Sequence, residues 1–174
     1  MLRGTVASLQ GGQLVVKTDT NTVTVKVADP LQVYDRAPGS LADVKDNTFI
    51  GVTTVKQPDG SEQATEIHIF PEALRGLGEG SRMMSPPAGG NASRMTNGSV
   101  SASRMSNGTV SSSTGSTFVV QYAGGTQKVV VPANTPVTEI KPVSKTLTAG
   151  DRVVILAKKA TDGSLSASQA LITK

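Results

Sequence analysis

The chain repeats itself. Gly4-Thr5-Val6 opens its first half and Gly108-Thr109-Val110 its second, an offset of 104 residues. That offset holds through Gly11/Gly115, Val15-Val16/Val119-Val120, Val25/Val129, Val27/Val131 and Val33/Val137. One residue is then lost, and at offset 103 Asp59-Gly60-Ser61 matches Asp162-Gly163-Ser164, Ala64 matches Ala167 and Ile69 matches Ile172. What recurs is valine alternation and turn residues, which is a β scaffold. No chemically reactive group recurs.

Each copy reads as five strands. In the first they fall at residues 4–9, 13–18, 22–27, 48–56 and 62–70. Val23, Val25 and Val27 alternate with Thr22, Thr24 and Lys26, the pattern of a strand with one buried face. Pro30 and Pro38 punctuate a longer connection, in which Ser40-Leu41-Ala42-Asp43 predicts a capped helical turn. Asp59-Gly60 predicts a tight turn. The second copy places strands at 109–112, 117–122, 127–131, 151–158 and 165–173. Three strands, a short helical connection and two more strands is the order of an OB-type barrel. Gly4 and Gly108 suit the bend its first strand must make; a small open sandwich uses the same elements. The expected fold is all-β: two tandem five-stranded OB-like barrels at 1–70 and 107–174, joined by a connector at 71–106.

The connector is rich in Gly, Ser, Pro, Asn and Arg, which predicts a flexible linker. Pro71 to Gly76 predicts one or two helical turns. Ala92-Ser93-Arg94-Met95-Thr96-Asn97-Gly98-Ser99-Val100-Ser101 is echoed by Ala102-Ser103-Arg104-Met105-Ser106-Asn107-Gly108-Thr109-Val110-Ser111, with a partial copy at Ser81-Arg82-Met83. On the offset of 104, residues 92–101 are a spare version of the second barrel's first strand, either without a role or an extra strand at a sheet edge.

The chain has no cysteine, which removes thiol catalysis, thiolate metal sites and disulfides together. No apolar run is as long as a membrane span. Strand-like sequence starts directly after Met1, which fits a cytosolic protein or a mature exported one. Residues 1–70 carry six Lys/Arg against eight Asp/Glu, residues 71–106 four against two, and residues 107–174 seven against three. The second module is therefore basic, and Lys128, Lys141, Lys145, Lys158 and Lys159 are its candidates for holding an anion.

Catalytic and metal constellations are sparse. His68 is the sole histidine, and alternation sets it on one face with Glu66 and Phe70. Glu66 and His68 supply two ligands and nearby Glu72 is the candidate for a third, which falls short of a dedicated zinc site. The reading favours a surface or interface histidine. Met83, Met84, Met95 and Met105 lie in the connector. Thioether sulfur suits copper(I), but an arginine beside the sulfur in each copy opposes a cation, and docking by adaptable hydrophobes is the favoured role. His68, Phe70, Met95 and Met105 are thus interface candidates. No serine lies in a nucleophile elbow, Gly76 to Gly80 lacks the P-loop lysine, and no cofactor site is expected. Nucleic acid is disfavoured, because Phe118 takes a core position and Tyr122 alone is a poor stacking platform.

Gly4-Thr5-Val6, Leu41 to Lys45, Phe49 to Val52 and above all His68-Ile69-Phe70-Pro71-Glu72-Ala73-Leu74-Arg75-Gly76-Leu77-Gly78-Glu79-Gly80 resemble a proteobacterial family of secreted proteins with two small OB-like domains and no known function. Some members bear an unsupported label as metal transporter permeases. The likeness continues through Met95 to Asn97, Val129 to Pro132, Thr135 to Val137 and Asp162 to Ala167, and departs at 81–106. It implies an exported, periplasmic or extracellular location, and it makes residues 68–80 a defined element. It carries no catalytic residues. The expectation is a non-enzymatic binding or structural module of the bacterial envelope, with self-assembly or anion binding as alternatives. Its partner would be itself or another envelope protein.

Overall fold

A computed structural model describes residues 1–84, 92–105 and 115–173. It is almost entirely β, and no helix among the described residues is long and apolar enough to cross a membrane. The strands are β1 (Leu2–Gln10), β2 (Gln13–Lys17), β3 (Thr22–Pro38), β4 (Phe49–Lys56), β5 (Glu62–Ile69), β6 (Gly80–Met84), β7 (Ser93–Met105), β8 (Gly115–Tyr122), β9 (Gly125–Pro132), β10 (Val137–Val143), β11 (Arg152–Ile155), β12 (Lys158–Lys159) and β13 (Leu165–Thr173). The capped turn predicted at Ser40 forms as a 3-10 helix over Leu41–Asp43, where Ser40 Oγ accepts from the Ala42 amide and Asp43 Oδ2 from the Ser40 amide.

The contacts divide the chain into two compact units, but not at the expected boundaries. One is Met1–Arg36 with Lys141–Lys174 and the other is Ala37–Ile140. In the first, β1 pairs β2, β2 pairs β3, β3 runs parallel to β13, β13 pairs β11, and β11 returns to β1. This closed five-stranded barrel takes three strands from the start of the chain and two from its end. In the second, the same circuit runs through β7, β8, β9, β5 and β4 and back to β7, with β9 and β5 meeting at Gln63 and Val130. The ranges 1–70 and 107–174 are corrected accordingly. Strands four and five of each predicted barrel serve the other one, an arrangement that sequence adjacency disfavours.

The two circuits share a register. In the first unit Gly4 faces Val153, Val6 faces Val16, Leu14 faces Val25, Lys26 faces Ser166 and Ile155 faces Ala170. In the second the corresponding pairs are Gly98 with Ile50, Val100 with Val120, Phe118 with Val129, Val130 with Gln63 and Val52 with Ile67. Gly98, in the copy read as spare, is thus the counterpart of Gly4. Gly108 and the predicted strand at 109–112 lie outside the described residues. Both first strands shift register just after the glycine, between Val6 and Ser8 and between Val100 and Ala102, so one strand can serve two sheets. A Cβ on Gly4 would overlap Lys17 O and stand 2.8 Å from Val16 Cγ1; one on Gly98 would overlap Gln121 O and stand 3.0 Å from Val120 Cγ1. Close backbone approach, rather than positive φ, is what requires glycine here.

Further expectations change in part. The connector is not a plain linker, since residues 80–84 and 93–105 are strands; only its remainder at 85–91 and 106 lies outside the described residues. The predicted helical turn survives as a 3-10 helix over Glu72–Leu74. β3 continues past Pro30 because Gln32, Val33 and Tyr34 pair with β13, and β10, unpredicted, pairs Val137–Glu139 with Ile67–Ile69.

Each unit buries its own apolar set. Val6, Leu14, Val16, Val25, Val153, Ile155 and Ala170 lie at the centre of the first. Ile50, Val52, Ile67, Val100, Phe118, Val120 and Val129 do so in the second. Each large aliphatic side chain so buried contributes about 1.5–3 kcal/mol, which compensates for the near absence of aromatic residues.

Candidate functional site

Charge is distributed by structural unit rather than by sequence half. The unit of Met1–Arg36 and Lys141–Lys174 holds ten Lys/Arg against five Asp/Glu, and the other holds seven against eight. Four of the five candidate lysines, Lys141, Lys145, Lys158 and Lys159, lie in the first; Lys128 lies in the second. The expectation of one basic barrel at 107–174 is corrected on this point.

Within the basic unit a cross-strand row brings charges together. Lys158 on β12 pairs with Ser166 on β13, Ser166 with Lys26 on β3, and Lys26 with Gln13 on β2. Paired residues point to one face, and adjacent strands lie about 4.8 Å apart, so two lysines flank one hydroxyl. All four residues are exposed. Lys26, Lys158, Ser166 and Ser168 line a concavity of about 380 Å³ whose floor includes Val27, Ala28 and Ala167. Hydrogen bonds from Ser164 hold the Asp162 carboxyl below the usual range, with a smaller contribution from the Lys26 charge. The matching row of the other unit is Val55, Gln63, Val130 and Thr117, with no charge. Sequence reading missed Lys26 because it belongs to the acidic first half; only the exchange of strands sets it beside Lys158.

The other lysines differ. Lys145 donates to Asp151 Oδ1 at 3.1 Å, and Asp151 also accepts from the Thr148 amide and hydroxyl. The Thr148 amide first, and Lys145 second, hold the Asp151 carboxyl below its ordinary range. Lys145 also lines a concavity of about 310 Å³ with Leu9, Val27, Pro30 and Leu147. Lys128, Lys141 and Lys159 are exposed and outside both concavities.

His68 is not a surface residue. It is 5 % exposed, its Nδ1 meets Thr138 Oγ1 of β10, and its Nε2 lies 3.5 Å from Glu66 Oε2. The parallel pairing with β10 covers it. Among the described residues no group of three His, Asp or Glu could hold a metal ion. Phe70 is buried as well, its ring centroid 5.8 Å from that of Phe49. Neither is an exposed interface residue. Met83 is 58 % exposed and Met84 partly buried on the same short strand, so alternation points the two sulfurs to opposite faces. Met95 is partly buried between Thr53 and Arg82 on the neighbouring strands. The Met105 side chain lies outside the described residues.

Residues 70–80, the part of the 68–80 stretch beyond β5, form a hook. Arg75 holds it: Nε and Nη2 reach the Glu72 carboxylate, Nη1 donates to Ser99 Oγ at 2.7 Å, Nη2 donates to Asn47 O at 2.8 Å, and the guanidinium lies 5.8 Å from the Phe49 ring. Asn97 Nδ2 donates to Leu77 O at 2.9 Å, and Glu79 accepts from the Ala123 amide.

A polar cluster closes one end of the second unit. Thr54 and Thr96 are fully buried. Thr54 Oγ1 donates to Glu62 Oε2 at 2.6 Å, and Thr96 Oγ1 meets Ser81 Oγ at 2.9 Å and Gln127 Oε1 at 3.4 Å. Arg94 Nε stands 3.4 Å from Glu62 Oε1, within ion-pair range but without the alignment of a hydrogen bond. Nothing in the hydropathy pattern marks this cluster, because Arg94 and Thr96 sit in what reads as linker.

Compared with known proteins, residues 107–169 match a family model described as a domain of unknown function (DUF5666). The match spans β8 and β9 of one unit, β10, in which the two units divide after Ile140, and β11, β12 and part of β13 of the other. No curated protein and no solved structure matches.

Proposed function

We propose that this protein is a non-enzymatic binding module of the bacterial envelope or exterior, built from a duplicated OB-like scaffold, and that its ligand is an acidic polysaccharide held by the basic unit. The row Lys158, Ser166 and Lys26 carries the reading. Two ammonium groups flanking a hydroxyl over a shallow concavity suit a sulfate or carboxylate on a polymer, with charge-assisted hydrogen bonds at each end. Single-stranded nucleic acid fits less well, since stacking platforms are needed and the unit's aromatic residue, Tyr34, is buried.

The test is binding of a sulfated polysaccharide at low salt, with single-stranded DNA in parallel. The polysaccharide is expected to bind with an affinity that falls steeply with salt. Lys26→Ala/Lys158→Ala together should weaken it about tenfold or more, and Lys128→Ala should change it little. No binding at low salt, or an equal loss from Lys128→Ala, would sink the proposal. Stronger binding of the DNA would replace the ligand class.

Self-assembly is a second reading. β6 pairs with β7 alone among the described strands and exposes Met83, so its other edge is suited to strand addition. Light scattering of a Met83→Lys variant tests it: an unchanged oligomer would refute the reading.

A further inference from the structure

Both circuits use strand pairs of similar sequence for their fourth and fifth positions, so each pair has two rings it could close. β4–β5 closes the ring of β7–β9, and β11–β13 closes the ring of β1–β3. Something must select this pairing over the contiguous one, in which β4–β5 would close β1–β3. We infer that the polar cluster of Thr54, Glu62, Arg94, Thr96 and Gln127 is that selector: an intrachain docking key that matches β4–β5 to β7–β9.

The shared register identifies a counterpart for four of the five members. Thr96 corresponds to Leu2, Gln127 to Val23, Thr54 to Ala157 and Glu62 to Leu165. Leu2, Val23, Ala157 and Leu165 all pack against the apolar core of the first unit. One barrel end is therefore apolar on both contributing segments, and the other is polar on both. In the contiguous arrangement Thr54 and Glu62 would meet Leu2 and Val23. The carboxylate would lose Arg94, and Thr96 and Gln127 would face Ala157 and Leu165. Removing one partner of a partly shielded charged pair is unfavourable, because the more buried charge is left without compensation. Matching apolar to apolar and polar to polar is specificity by exclusion of the wrong partner. The Glu62 side chain is 16 % exposed and that of Arg94 34 %, so the key is shielded at its carboxylate and open at its guanidinium.

The chain has no cysteine, so an engineered pair reports on topology without interference. Thr5 and Arg152 are partners across β1 and β11; in the contiguous arrangement the partner of Thr5 would be Phe49. Thr5→Cys/Arg152→Cys should form its disulfide almost completely after refolding in a glutathione buffer, and Thr5→Cys/Phe49→Cys should not. Erasing the key with Thr54→Ala, Glu62→Leu and Arg94→Met makes the two strand pairs equivalent at this end. The first disulfide should then fall about twofold, which is an equal partition, and the second should appear. Arg94→Glu, which sets a carboxylate against Glu62, should cut the first disulfide further; adding Glu62→Arg should restore it. That variant keeps the test decisive if the erased key yields no soluble protein. A Thr5–Arg152 disulfide that stays complete in the folded variants would overturn the inference and assign the selection to chain connectivity.

Discussion

Gly98→Ala tests which copy of the short repeat builds the second ring. The added methyl would stand 3.0 Å from Val120 Cγ1 and overlap Gln121 O. The valine methyl can yield, but the carbonyl cannot, because Gln121 is fixed by pairing with Ser99 on one side and Thr126 on the other. Overpacking typically costs about 1–3 kcal/mol, and a clash against backbone belongs at the upper end. Replacing glycine by alanine returns about 0.4–1 kcal/mol by restricting the unfolded chain. The net loss should be about 2–2.6 kcal/mol, or roughly 4–10 °C in Tm for a chain of this length. Circular dichroism during thermal and urea unfolding measures it, and Gly4→Ala should show a similar loss. If Gly98→Ala stayed within about 0.5 kcal/mol of the parent while Gly108→Ala carried the cost, the offset of 104 would be right for the first strand and the structural reading wrong.

Two further predictions follow the side-chain network. Arg75→Lys keeps the charge but loses the fork that joins Glu72, Ser99 and Asn47, so it should cost about 1–2 kcal/mol and speed amide exchange in residues 76–80; wild-type exchange there would refute the hook. Asp151 has a carboxyl held below its ordinary range, so its hydrogen bonds add stability above the unfolded aspartate pKa, and that stability is lost as pH falls through the folded value. Asp151→Asn should therefore be less stable than the parent at pH 7, with a gap that narrows as pH falls below the unfolded aspartate pKa and through the lower folded value; a gap constant with pH would refute this.

Local structure was well marked in the sequence. Valine alternation set the strands around Val16, Val25, Val52 and Val129, Ser40 and Asp43 set the capped turn, and Asp59-Gly60 and Asp162-Gly163 set the hairpins. These signals act over a few residues. Which strands meet depends on long-range complementarity. The exchange between halves leaves no local trace, because β4–β5 and β11–β13 share the periodicity that either ring needs. The same limit hid the lysine row, which requires Lys26 and Lys158 to be brought together from opposite ends of the chain. The connector misled for a different reason. Ser93, Arg94, Thr96, Asn97 and Gly98 have the composition of a linker, yet in β7 the buried Thr96 and Asn97 find hydrogen-bond partners in Ser81 and Leu77 and Gly98 permits the close approach of β8. His68 looked exposed on alternation alone, and β10, which covers it, was not visible as a strand.

The central claim is that each ring is closed by strands from the other half of the chain. Disulfide mapping of the Thr5→Cys/Arg152→Cys protein in its native state tests it most directly, since these positions face each other across β1 and β11. The account predicts rapid and nearly complete formation of an intrachain disulfide, with unfolding free energy preserved or raised. Failure of that bond to form, together with ready formation of the Thr5→Cys/Phe49→Cys bond, would show contiguous barrels and contradict it.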